Sequence, residues 1–435
     1  MRLLIRDAHV VTLDPALPVL TPGYVVVEDG RIAAITADLP AGPFDETIDG
    51  SGQALMPGLV NAHTHAAMTL LRGYADDMEL MPWLQEKIWP IEACISDDDV
   101  YWGSLLGIAE MLLGGVTTFC DMYYAFERTA EACRDSGIRA VLSGVLLGFL
   151  DSAAEDLRRA CEFARQWHGQ AGGRIQVMLG PHAPYTCPDP LLREVMAGAR
   201  ELGIGLHIHV AETVAEVTGS EQSTGLTPVL HLERLGLFEV HPVLAAHCVH
   251  LSPEEMDILA RRRVGIAHCP GSNMKLASGV APVPELLKRE ALVGLGTDGC
   301  ASNNNLDVLE EARLAALLHK VHLGSPTVVP ADTALWLATR GGALALGLDD
   351  LGQITPGFRA DLVLVDLQQP HLVPLHHLVS HLVYAARAGD VRTVLVDGQV
   401  VVRDRQLCCV DLPRVMAECS RRAQEIVEGK RPKRR

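Results

Sequence analysis

Short apolar runs fill the middle of the chain, each followed by a stretch in which apolar positions recur at helical spacing. In order they read GLVNAH (58–63), VTTFCD (116–121), RAVLSGV (139–145), RIQVMLG (174–180), GIGLHIHV (203–210), VLAAH (243–247), VGIAH (264–268) and ALVGLGTD (291–298). Near-continuous apolar runs predict strands buried on both faces, and DLRRACEFARQWHG and DPLLREVMAGARELG predict crossover helices between them. Eight such units predict an α/β fold, a TIM-like (β/α)8 barrel. An open doubly wound sheet is the alternative, but no G-x-G-x-x-G follows the first run. The two ends read differently, as short strands and turns: RLLIRDAHVVTL and GYVVVEDGRIAAIT at the start, GQITPGFRADLVLVDL and VRTVLVDGQVVVRDRQ near the finish. They predict a small β-sandwich domain built from both termini, residues 1–57 and 353–410, around a barrel at 58–352, with a C-terminal helix and basic tail at 411–435.

Barrel chemistry gathers where strands end, and the ionisable residues of this chain punctuate its apolar runs. His63 and His65 come first, then Asp121, His182 in GPHAPY, His207, His209 and Glu212 in HIHVAET, His247, His268 and Asp298. Residues two apart on a strand share a face, so His63 and His65 converge on one point beyond the strand's end. That is half a metal site. Asp298 follows a fully apolar run, and a buried carboxylate there needs a cation or several N–H donors. Three histidines with Asp298 suit one divalent ion, Zn2+ or Fe2+, and leave room for water. Of the remaining histidines, His207 and His268 read as hydrogen-bonded core residues, and Asp121 as a helix cap. Neither RIQVMLG nor GIGLHIHV contains the lysine that a two-metal site would want. Glu212 stands three residues past His209, placed to carry a proton without ligating.

Composition narrows the partners. The net charge is -17, which disfavours nucleic acid and anionic membranes, and no apolar run reaches transmembrane length. Eleven cysteines, never spaced C-x-x-C, read as reduced thiols in a cytoplasm. The eight terminal residues EGKRPKRR form a solvated tail. The zinc-deaminase pattern with P-C-x-x-C is missing, although HLE occurs at 231–233.

PGLVNAHTH, HVAET, AAHCVH and LGTDG, in that order, resemble the one-metal deaminase branch of the amidohydrolase superfamily. With WLQEKIWPIEA, GPHAPYTC, PGSNMKLASGVAPV and GTDGCASNNNLD, the chain resembles the 5-methylthioadenosine/S-adenosylhomocysteine deaminases over nearly its whole length. The resemblance implies His63, His65, His209 and Asp298 as metal ligands, with His207 one pleat short of the site. It implies that His247 steadies the attacking hydroxide, Asp298 accepts the water's proton and Glu212 protonates purine N1. Glu92 would bind the ribose hydroxyls and His182 the nucleoside, with Trp83 and Ser302 as pocket residues. The implied product is a hypoxanthine nucleoside plus ammonia, from a homo-oligomeric enzyme.

Arginines that would pair with the carboxylate of adenosylhomocysteine are expected after the third strand, yet Gly144 and Asp156 stand near those places. That favours 5′-methylthioadenosine over S-adenosylhomocysteine or adenosine. MELMPWLQEKIWP is expected either to cover the methylthio group or to pack as an ordinary helix. A second enzyme reading is hydrolysis of another aminated heterocycle, guanine or an s-triazine; a third is a silent metal-binding scaffold.

Overall fold

The computed structural model describes residues 1–17 and 19–431, so the last four residues of the basic tail lie outside the described residues. The chain opens with β1 (Arg2–Val11), β2 (Val19–Glu28), β3 (Arg31–Thr36), β4 (Glu46–Asp49) and β5 (Gln53–Pro57). Eight strands follow: β6 (Leu59–Thr64), β7 (Val116–Tyr123), β8 (Arg139–Leu146), β9 (Ile175–Pro181), β10 (Gly205–Val210), β11 (Val243–His247), β12 (Gly265–His268) and β13 (Leu292–Leu295). The end of the chain supplies β14 (Leu362–Asp366), β15 (Val391–Val396), β16 (Gln399–Arg403), β17 (Gln406–Leu407) and a helix, Leu412–Val427.

Strands β6 to β13 pair in sequence order, each parallel to the next, and carry almost nothing but buried residues. All eight apolar runs are therefore strands of one sheet. Its two edges meet where the Asp298 amide donates to the His63 carbonyl at 3.0 Å. Beside that bond, the Asn61 side chain joins β6 to the segment after β13, donating to the Thr297 hydroxyl at 2.7 Å and accepting the Thr297 backbone amide at 3.0 Å. Gly296 makes the approach possible, because a Cβ on it would lie 2.9 Å from the His63 backbone.

Crossover helices cover the outside. In Asp189–Leu202 the buried residues Leu191, Leu192, Val195, Met196 and Ala199 fall on one helical stripe, and Gly203 ends the helix at φ +67°. Ser252 caps Pro253–Arg261 in a reciprocal box with Glu255.

The strands from both termini join in one mixed sheet, ordered β17-β16-β15-β14-β5-β1-β2-β3, with β4 paired to the first half of β1. Its apolar residues close on a cluster of their own that includes Leu3, Val25, Leu55, Leu364 and Leu395. Arg139, at the start of β8, ties this sheet to the barrel. Its guanidinium grips Asp361 through two bonds, 2.9 Å and 3.0 Å, and reaches Asp397 at 2.5 Å. The C-terminal helix docks through Arg422, bonded to Asp98 and Asp99 of helix Asp97–Leu113. All eleven cysteines are free thiols. Among the described residues, no helix is long and apolar enough to cross a membrane.

Candidate active site

The C-terminal ends of the barrel strands bring five of the expected residues to one point. Ligand atoms of His63, His65 and Asp298 lie within 4.8 Å of one another, as do those of His63, His209 and His247. Period-two spacing puts His63 and His65 side by side on the end of β6, ring centroids 4.9 Å apart.

Each ring is oriented from behind. The Nδ1–H of His65 donates to the Met122 carbonyl at 2.6 Å, and that of His209 to the His182 carbonyl at 2.7 Å. His247 Nδ1 is 3.0 Å from Asn273 Oδ1. Carbonyl partners fix these tautomers, leaving each Nε2 lone pair turned inward. His63 Nδ1 is 2.9 Å from Nε2 of His207, whose own Nδ1 lies 3.3 Å from the Ser143 hydroxyl. His207 thus lies behind the ring of ligand atoms and holds His63.

Asp298 has φ +59°, a left-handed conformation that turns its carboxylate back over the barrel mouth. The hydroxyls of Ser272 and Ser302 both donate to its Oδ2 at 2.7 Å. Its Oδ1 faces His63 Nε2 at 3.3 Å and His65 Nε2 at 3.2 Å. Ser302 therefore serves Asp298 and is not among the residues lining the cavity.

The donor set fits a divalent cation. His63 Nε2 is wholly buried with no hydrogen-bond partner, although it points at the carboxylate. Burial opposes charge on Asp298, but the close approach of His63 and His65 outweighs it and holds the carboxyl well below its usual range. Burial also opposes charge on His65; the bond and charge of Asp298 prevail and push that ring up to about 9. The carboxylate thus calls for one positive charge, which a proton on His65 or a cation among the rings can supply. Burial drives His209 well below its usual value, as a neutral ligand requires.

Glu212 sits just past β10, its Oε2 3.8 Å from His247 Nε2 and its Oε1 3.3 Å from the Ser278 hydroxyl. Burial raises its carboxyl above the ordinary range. His65, His209, His247, Glu212 and Asp298 line a cavity at the mouth of the barrel. His182, Tyr185, Trp83 and Glu92 line the same cavity. The segment Leu80–Glu92 is one helical stretch whose middle, Trp83–Ile88, is π-helical. It places Trp83, Leu84, Ile88 and Glu92 on the cavity side, so the apolar segment does cover the site.

Past Glu92 and Trp89 a second cavity continues between Tyr124, Leu147, Phe149, Leu150, Asp151 and Ser152, with no lysine or arginine on its walls. The register expected for Gly144 and Asp156 does not hold. A Cβ on Gly144 would sit 2.3 Å from the Phe126 ring, and Asp156 accepts the Ser152 hydroxyl on the next helix. Asp121, expected to cap the helix after its own strand, instead accepts the Ala66 amide at 2.6 Å, beside His65.

Residues 54–401 match the Amidohydrolase family. The chain is 52% identical over 431 residues to the 5-methylthioadenosine/S-adenosylhomocysteine deaminase of Pelotomaculum thermopropionicum, covering 98% of this chain and 99% of the relative. The protein of that name from Desulforudis audaxviator is 53% identical over 434 residues, covering 99% of this chain and 100% of the relative. Among solved structures, a zinc-bound adenosine deaminase from Xanthomonas campestris superposes with a TM-score of 0.94, at 40% identity and 98% coverage of each chain. Zinc-bound atrazine chlorohydrolase from Arthrobacter aurescens gives 0.90 at 27% identity, covering 97% of this chain and 100% of that one. With the family match spanning barrel and flanking sheet, and half its residues shared with these relatives over nearly their full length, the chain belongs to the amidohydrolases, in the branch of the 5-methylthioadenosine/S-adenosylhomocysteine deaminases.

Proposed function

We propose that this enzyme removes the 6-amino group of an adenosine-type nucleoside by hydrolysis, with 5′-methylthioadenosine the preferred substrate and 5′-methylthioinosine and ammonia the products. S-adenosylhomocysteine and adenosine are lesser substrates. The observation that carries this reading is the pairing of two buried carboxyls shifted in opposite directions, Asp298 down and Glu212 up, in a cavity that also contains Glu92.

His63, His65, His209 and Asp298 would hold one divalent ion, Zn2+ in preference to Fe2+. When bound, such an ion acts as a Lewis acid that makes a proton of water easy to remove at neutral pH. Asp298 Oδ2 is occupied by two hydroxyls, so Oδ1 is the oxygen that takes this proton. His247, with Nδ1 bound to Asn273, presents Nε2 to steady the attacking oxygen. Glu212, whose carboxyl is shifted upward by burial, delivers a proton to purine N1 as the C6–O bond forms. Breakage of the C6–N bond then releases ammonia, the amino group carrying the proton taken up by Asp298, while the C6 hydroxyl gives up its proton to restore Glu212 and becomes the 6-oxo group. Glu92 receives the ribose hydroxyls, and His182 and Trp83 confine the nucleoside.

Selection among nucleosides falls to the cavity beyond Glu92. Its apolar walls suit a methylthio group, whereas a carboxylate there would meet Asp151 and no cation. The likeness to atrazine chlorohydrolase supports a second reading, another aminated heterocycle as substrate. Ammonia release from methylthioadenosine, adenosylhomocysteine, adenosine and guanine, with chloride or amine release from an s-triazine, decides between them. Turnover of free bases or triazines without turnover of nucleosides overturns the proposal. Within it, Glu212→Gln is expected to lower kcat by about 10²–10⁴-fold while metal content stays the same. A cytoplasmic homo-oligomer is the accompanying inference, checked by sedimentation.

A further inference from the structure

Among the described residues, the contacts of the Glu212 side chain are long, 3.3 Å to Ser278 and 3.8 Å to His247. A group that must give up a proton cannot be clamped by its carboxyl, so its position has to come from the backbone. That backbone is unusual. Ala211, the residue before it, is a non-glycine at φ +52°. The Ala211 carbonyl accepts the amides of Val249 and His250, both at 3.0 Å, which pins the turn on the β11 side.

On the other side stands Glu216, in the first turn of helix Val214–Thr224. It is 8% exposed, and its two oxygens accept two successive amides, Ala211 N–H on Oε1 and Glu212 N–H on Oε2, each at 2.8 Å. Thr213 caps the same helix by accepting the Glu216 amide at 3.2 Å, which fixes the position of Glu216 in turn. We infer that Glu216 is a positioning residue for the deamination: its carboxylate holds the left-handed turn that aims Glu212 at the substrate, and it acts on the reaction only through Glu212. The inference rests on the reading of Glu212 as proton carrier. The two-oxygen grip is the reason a carboxylate is needed, since an amide side chain offers one acceptor and turns an N–H2 toward a second N–H.

The test is Glu216→Gln in the metal-loaded enzyme, with kcat, KM, metal content and melting temperature measured together. Loss of aim is expected to lower kcat by about 10- to 100-fold, with KM within about threefold and metal content unchanged. Glu216→Asp, too short to reach both amides, falls between wild type and Glu216→Gln. In a Glu212→Gln background, adding Glu216→Gln leaves the equilibrium Kd for substrate within about threefold. Three outcomes overturn the inference: an unchanged kcat, a loss that tracks lost metal or lost fold, or a weakened Kd in the Glu212→Gln background. Full activity in Glu212→Gln alone overturns the reading of Glu212, and this inference with it. Full activity in Glu216→Gln beside a dead Glu212→Gln overturns the inference alone.

Discussion

At the scale of single residues, the far nitrogens of the imidazoles decide what the near ones can do. His207 is the clearest case, since it touches no substrate cavity yet sits 2.9 Å from His63 Nδ1. Replacing it with phenylalanine keeps a ring in place but removes His63's partner, so zinc affinity is expected to fall by about 10–100-fold. Competition with a chromophoric chelator measures this. The ligand pair itself was legible in the sequence, because period-two geometry leaves His63 and His65 little choice. The supports were not. Ser272 and Asn273, on the helix Pro270–Lys275 after β12, and Ser302, after β13, meet Asp298 and His247 from elsewhere in the chain, and nothing in local spacing constrains such meetings. Gly144 misled for the same reason: its place along the chain said nothing about whether it faced the cavity or Phe126.

Among the elements, the join between β6 and β13 carries the most consequence. It has one backbone bond between the two edges, a pair of Asn61–Thr297 bridges and the bare Cα of Gly296 against His63. Gly296→Ala forces a methyl into that contact and is expected to cost about 1–3 kcal/mol of stability. Zinc affinity is lowered in the same variant, because His63 moves with β6. Urea titration and metal analysis report the two effects separately. The eight strands were legible because apolar runs of strand length recur with helices between them. The cover was only half legible. MELMPWLQEKIWP reads as an apolar helix, but which side faces the cavity depends on the π-helical turn at Trp83–Ile88, and sequence period does not reveal that turn.

Across the whole molecule, stability depends on charges buried where the two sheets join. Arg139 and Asp361 have side chains only 2% exposed, and Asp397 17%. Arg139→Leu leaves buried Asp361 without its cation, while Asp397 keeps Arg359 at 3.1 Å, and is expected to destabilise the fold by about 3–5 kcal/mol, read from chemical denaturation. Another buried carboxyl contributes to the pH profile. Burial pushes Glu311 from 4.5 up to about 8, so its contribution to stability is full below 4.5 and is lost as pH rises through about 8. Melting temperature at fixed zinc should therefore decline over that window, and less steeply in Glu311→Gln.

The sheet's two free edges are fastened through His63 and Asp298, the same pair that faces the ion site. The proposed catalyst and the buckle are one piece. Retooling the centre would unfasten the hoop, so a change of diet is left to the outlying walls, the helical cover over Trp83 and the hollow beyond Glu92.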